Sequence, residues 1–160
     1  MSCNSHCAAP ERRALLLAAV LAWPAAAWAV AATPPVEVSA ALPGASLQGQ
    51  GRLRYLGLHI YDASLWSPVR VAAGDALTAA LALELRYARK LRGAMIAERS
   101  LDEMKRVGEV SEADGQRWLD AMKQIFPDVK AGDRLTGLHQ PGEGAVFFVN
   151  GRAAGEVRDA

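Results

Sequence analysis

Cysteine is nearly absent. The 160-residue chain has two, Cys3 and Cys7, and both precede Arg12 and Arg13 at the head of an apolar, Ala/Leu-rich run, Ala14 to Ala27. A positive stretch, an apolar stretch and small residues at Ala27-Trp28-Ala29 are the marks of a secretory signal, with cleavage expected after Ala29 and a second site offered by Ala29-Val30-Ala31. A membrane anchor is the competing reading. The run is shorter than the ~20 residues that span a bilayer, and Pro24 interrupts it. The expected organisation is therefore a signal peptide at 1–29 and one domain at 30–160, in a periplasmic or secreted location. The processed chain would keep no cysteine, which excludes disulfides, a thiol nucleophile and a cysteine-ligated metal.

Charge of one sign is also lacking. Net charge is +1, with 18 basic and 17 acidic residues intermixed, so no basic stripe marks a nucleic-acid binder. Of three histidines, His6 falls in the signal, and His59 and His139 lie too far apart in sequence to make a metal site by themselves. No Ser/His/Asp order, phosphate-binding glycine loop or HExxH helix occurs, and Gly49-Gln50-Gly51 is too short to cradle a phosphate. No cofactor is expected.

What is present is alternation. Ala31 to Pro43 is a Pro/Ala-rich entry in which Val36 and Val38, flanking Glu37, are expected to open an edge strand. Gly49 to Trp66 is the longest β-like stretch. Arg52, Arg54, Leu56, Leu58 and Ile60 fall on one face and Leu53, Tyr55, Gly57, His59 and Tyr61 on the other, which predicts a long strand, bent near Gly57 or Asp62 and partly covered on both sides. Leu81 to Tyr87 alternates again, with Leu81, Leu83, Leu85 and Tyr87 expected inward and Glu84 and Arg86 outward. A helix is expected from Arg89 or Gly93 to about Val107, buried through Leu91, Met95, Leu101 and Met104, with Gly108 at its C-cap. Ser111, with Asp114 three residues on, opens a second helix lined by Trp118, Leu119, Met122, Ile125 and Phe126 and stopped by Pro127. Leu135–His139, Ala145–Val149 and Ala153–Val157 complete a meander, the last two joined by Asn150-Gly151, a strong type I′ hairpin signal. Strands, a helix pair and more strands predict an α+β fold: a curved antiparallel sheet with helices packed on one face.

Four segments in this order, GRLRYLGLHIYDASLW, LALELRYARKLRGAMI, the Gly132-Asp133 turn and PGEGAVFFVNGRAAGEV, resemble the chalcone isomerase-like family in its bacterial secreted branch. The resemblance implies a ligand cleft between sheet and helices. The family contains enzymes that close chalcones to flavanones and non-catalytic members that bind fatty acids. Aligned on Tyr61, the enzymes' threonine falls at Leu56; aligned on Gly93, their tyrosine falls at Ile96 and their asparagine at Glu103. Leucine and isoleucine cannot donate a hydrogen bond, so the isomerase reaction is not expected. Family members also continue past the final hairpin, whereas this chain stops at Ala160, and a missing closing element is expected to leave part of the core open.

The resulting expectation is non-catalytic binding of a small apolar or amphipathic acid, such as a fatty acid. Its carboxylate would sit on Arg54 (Arg52 being the alternative), with Tyr55, Leu56, Tyr61 and Tyr87 as further ligand-binding residues. Two other readings stay open. One is an isomerase or lyase with altered residues that uses Tyr55, Tyr61 or Glu103 as acid–base groups. The other is a structural partner in an envelope complex. No nucleic acid and no stable membrane anchor after signal cleavage are expected, and the sequence leaves the oligomeric state open.

Overall fold

The computed structural model describes residues 32–72, 74, 75 and 78–158, so the expected signal peptide lies outside the described residues. The elements are α1 (Val36–Ala41), β1 (Ser46–Tyr55), β2 (Leu58–Ser67), β3 (Leu81–Tyr87), α2 (Gly93–Val107), α3 (Glu112–Ile125), β4 (Arg134–Gln140), β5 (Gly144–Val149) and β6 (Arg152–Val157). The six strands form one curved antiparallel sheet in the order of the sequence. Every neighbouring pair is consecutive in the chain. The connection from β3 to β4 carries the two longer helices, as the α+β expectation required.

Gly49 to Trp66 is not one strand. It is a hairpin that turns at Leu56-Gly57, both with positive φ (48° and 79°). These are the angles of a type I′ turn, whose twist matches that of the flanking strands. Asn150-Gly151 makes the same turn between β5 and β6 (φ 51° and 82°). Because the chain reverses at Leu56, Arg54, Leu56 and Leu58 do not share one strand face. A register irregularity between Leu53 and Arg54 shifts the parity further.

The expected edge strand at Val36–Val38 is also corrected. Those residues begin α1, in which Val38 is fully buried and Val36 is exposed. Six residues show less than two turns of helical period, so the Val-Glu-Val alternation mimicked a strand.

Both sheet faces are covered. On one, α2 and α3 bury Ile96, Ala97, Leu101, Met122 and Phe126 against Tyr87 and Leu135. On the other, α1 buries Val38 and Leu42 against Trp66, Ala82 and Leu138. Ser111 caps α3: its hydroxyl oxygen accepts from Asp114 N–H at 3.1 Å. Phe126 N–H closes the helix on Met122 O, just before Pro127. In α2 the buried stripe runs through Ile96, Ala97 and Leu101. Met95 and Met104, expected inside, are exposed. Gly93 starts α2 where the chain leaves α3. A Cβ there would lie 2.0 Å from Phe126 O, and its N–H donates to Asp128 Oδ1 at 3.0 Å.

Glu84, expected to point to solvent, is buried because it lies on the α1 face. It accepts from Trp66 Nε1 at 3.0 Å. Glu37 of α1 is buried on the same face. It accepts from Arg134 Nη2 at 2.8 and 3.0 Å and from the Thr136 hydroxyl at 3.0 Å. These bonds tie α1 to β4 across 97 to 99 residues of sequence. Removing one member of a buried pair leaves a desolvated charge, which costs about 3–5 kcal/mol. Glu37→Ala is expected to lower the unfolding free energy by roughly that amount, measured by urea denaturation; a loss below about 1 kcal/mol would show that the pair does not hold α1 down.

Candidate functional site

Antiparallel register brings two tyrosines face to face. Tyr61 of β2 lies opposite Tyr87 of β3, with ring centroids 5.9 Å apart and planes at 79°. Such an edge-on pair is favourable beyond its buried area. Alternation turns both rings to the helix side, where they meet the α2–α3 core. Tyr87 is 2% exposed, and its hydroxyl is buried without a hydrogen-bond partner among the described residues. The Trp118 indole Nε1, from α3, is in the same condition beside the same core. An unpaired buried donor costs about 1–3 kcal/mol.

Burial pushes the Tyr87 hydroxyl far above the usual tyrosine range, and the neighbouring Tyr61 adds to the effect. Tyr61 is raised too, first by burial and then by the Glu103 carboxylate, with Arg99 opposing. Glu103 is held below the ordinary carboxylate range. The hydrogen bond from Arg106 (2.7 Å) is the main cause, and the charges of Arg106 and Arg99 add to it. Arg99 also bonds Glu103 one turn away. A tyrosine pair therefore sits under α2, rimmed by an Arg99–Glu103–Arg106 cluster.

From Tyr87 the same strand face continues through Leu85 and Leu83 to Leu81, with Leu65 opposite Leu83. Leu85 packs under the helices. Leu83 is 43% exposed because the helices cover only one end of the strands on this face. At about 3.4 Å per residue, the leucine track from Tyr87 to Leu81 is about 20 Å long.

The opposite face carries an open polar groove of ≈ 770 Å³. Trp66, Glu84, Arg86 and the Arg52–Asp62 pair line it, with Thr33 and Pro35 on one side. Arg52 Nε donates to Asp62 Oδ1 at 2.6 Å, a bond that holds the Asp62 carboxyl below its ordinary range. Arg52 is thus on the face away from the tyrosines and already paired.

Of the five residues expected to bind ligand, the structure brings Tyr61 and Tyr87 together. Arg54, Tyr55 and Leu56 are elsewhere, at the exposed hairpin tip, with Tyr55 and Leu56 66% and 85% exposed. The tip also changes the comparison with the enzymes' catalytic positions. Leu56, matched to a strand threonine, is a turn residue. Ile96 and Glu103 do lie on α2, Ile96 in the core with Tyr87 and Glu103 acting electrostatically on Tyr61. The sequence reading missed the Trp118 Nε1 group and the Trp66–Glu84–Arg86 groove. A signal existed for the groove, because Glu84 and Arg86 alternate with Ala82 on one strand. Among the described residues, no group of three His, Cys, Asp or Glu side chains is placed to hold a metal ion.

A curved antiparallel sheet with a helix pair over one face, and a tyrosine pair beneath the first of those helices, defines an α+β protein of meander topology. The family model described as chalcone isomerase-like matches residues 33–160, and the chain belongs to that family. The fold is similar to the crystal structure of a fatty-acid binding protein from Arabidopsis thaliana, with a TM-score of 0.54 and 12% identity over 73% of this chain and 74% of that one. A search of curated protein sequences returned no match.

The raised tyrosines set a pH dependence. Folded, they keep their protons above the ordinary tyrosine pKa near 10; unfolded, they lose them there. Stability is therefore full below about pH 10 and declines as pH rises beyond it. The expected result is a fall in urea midpoint above that pH, flattened in the Tyr61→Phe/Tyr87→Phe double variant; an equal fall in both proteins would contradict the assignment.

Proposed function

We propose that this chalcone isomerase-like protein is a non-catalytic carrier of a small amphipathic acid, a fatty acid in the simplest case, bound on the helix side of the sheet. The observation that carries the reading is the Tyr87 hydroxyl: a donor enclosed in an apolar core with no partner among the described residues. In this reading a carboxylate accepts from Tyr87 and Tyr61 and is drawn by Arg99. The tail follows Leu85, Leu83 and Leu65 toward the open end of that face. The leucine track matches an extended chain of about sixteen carbons in length. The fatty-acid binding activity of the Arabidopsis neighbour is consistent with this choice of ligand, although the low identity carries the fold alone.

Three features favour binding over turnover. Ile96 stands where the enzymes have a tyrosine. Glu103 is engaged by two arginines and held ionised, which makes it a poor proton donor. The raised tyrosine pKa values suit hydrogen-bond donation and not proton release. The proposal also includes export: residues 1–29 are read as a cleaved signal that delivers the domain to the periplasm. N-terminal sequencing of the protein from the cell envelope tests this, and an intact Met1 there would count against it.

Isothermal titration with palmitate tests the binding. Saturable binding at one site is expected. A hydrogen bond to a charged acceptor is worth about 1.5–3 kcal/mol, so Tyr87→Phe is expected to weaken affinity roughly tenfold or more. The same variant removes a hydroxyl that has no partner among the described residues, so its unfolding free energy should not fall. No binding by the wild type, or a Tyr87→Phe variant that binds equally well, would overturn the reading.

A further inference from the structure

The β1–β2 hairpin projects beyond the sheet. β2 pairs with β3 only from Tyr61 onward, so the residues from Arg54 to Ile60 reach past the last β3 pair. At the end of this projection sit Tyr55, Leu56 and Leu58, 66%, 85% and 51% exposed. Isolated apolar residues on a surface are ordinary; three together on a protruding tip are not.

Turn formation does not explain Leu56. Its φ is +48°, and Asn150 occupies the equivalent position of the other type I′ turn at +51°, each followed by glycine. Asparagine tolerates this left-handed backbone, whereas a leucine Cβ crowds the following carbonyl there. Leu56 is thus unfavourable twice, in its backbone and in its exposure to water. Strain of this kind that persists at an exposed site points to function.

The charge around the tip indicates what it meets. Arg54 precedes it. At its foot, Ala88 N–H donates to Ile60 O at 2.9 Å, which brings the segment leaving β3 alongside. That segment carries Arg89, Lys90 and Arg92. Among the described residues none of these four cations has an ion-pair partner, whereas Arg52, further down the hairpin, is paired with Asp62. An apolar tip with an interfacial tyrosine and a collar of free cations suits insertion into a bilayer surface rich in anionic headgroups.

We propose that the Tyr55–Leu58 tip is a membrane-contacting element that inserts into anionic lipid surfaces, with Arg54 and the Arg89–Arg92 segment on the phosphates. This stands whether or not the chain carries a fatty acid. The test uses the full-length chain and vesicles of phosphatidylcholine, with or without phosphatidylglycerol. Hydrogen exchange of the peptide spanning the tip is the readout, because it reports the tip even where another segment also touches lipid. Exchange at the tip is expected to slow with the mixed vesicles and not with phosphatidylcholine alone. Leu56→Asn, which installs the residue favoured by this turn, is expected to abolish the protection while its melting temperature stays level or rises. Leu58→Ser, outside the turn, is expected to reduce vesicle affinity roughly tenfold. Tip exchange unchanged by the mixed vesicles, or a Leu56→Asn chain protected as fully as wild type, would overturn the proposal. So would protection that needs no lipid and grows with protein concentration, because it would assign the tip to a protein contact.

Discussion

The structure depends on one register, that of Tyr61 against Tyr87. Side chains alternate along a strand, so a slip of one residue would exchange the two faces of the sheet. In the register found, β2 and β3 send Tyr61, Leu65, Leu83, Leu85 and Tyr87 to the helix pair, and Asp62, Trp66, Glu84 and Arg86 to the side of α1. The Leu56-Gly57 turn sets where β2 begins, and the Trp66–Glu84 hydrogen bond ties the same two strands from the other side. With β3 fixed, β4 follows through its pairing with β3, and Glu37 reaches Arg134 and Thr136 only because those residues face α1. The unpartnered tyrosine hydroxyl and the polar groove are consequences of the same alignment seen from opposite faces.

The two faces divide the labour. On the α1 face the two buried carboxylates are held, Glu84 by Trp66 and Glu37 by Arg134 and Thr136, while Arg134 Nε is buried without a hydrogen-bond partner among the described residues. A network of that kind specifies one arrangement of α1 on the sheet. The helix-pair face is apolar, and its buried donors Tyr87 and Trp118 have no partners among the described residues. Stability alone would favour phenylalanine at position 87, since an unpaired buried hydroxyl is a liability.

Much of the fold was legible because several boundaries carry their own chemistry. Ser111 with Asp114 announces α3, Pro127 ends it, and Asn150-Gly151 favours a type I′ hairpin. Leu56-Gly57 makes the same turn with a residue that has no turn preference, so the β1–β2 hairpin looked like one bent strand. That error carried into the site. Once the parity ran through the turn, Arg54 and Leu56 fell on a cleft-facing strand that does not exist. Tyr61 and Tyr87 come together because each lies in an uninterrupted strand next to its partner. Glu84 was misplaced for a different reason: a second layer, α1, covers a face whose charges looked solvated, and six residues are too few to reveal that layer by period.

The family establishes the scaffold, and the ligand must be decided on this chain's own residues. The central claim is that the helix side of the sheet, at the Tyr61–Tyr87 pair, receives the acid. The most direct measurement is a crystal structure with a fatty acid brominated at its tail, located by anomalous scattering. The carboxylate is expected within hydrogen-bonding distance of the Tyr87 hydroxyl, and the bromine over Leu83 and Leu65. Bromine or carboxylate in the groove between Arg52 and Arg86, on the opposite face, would contradict it.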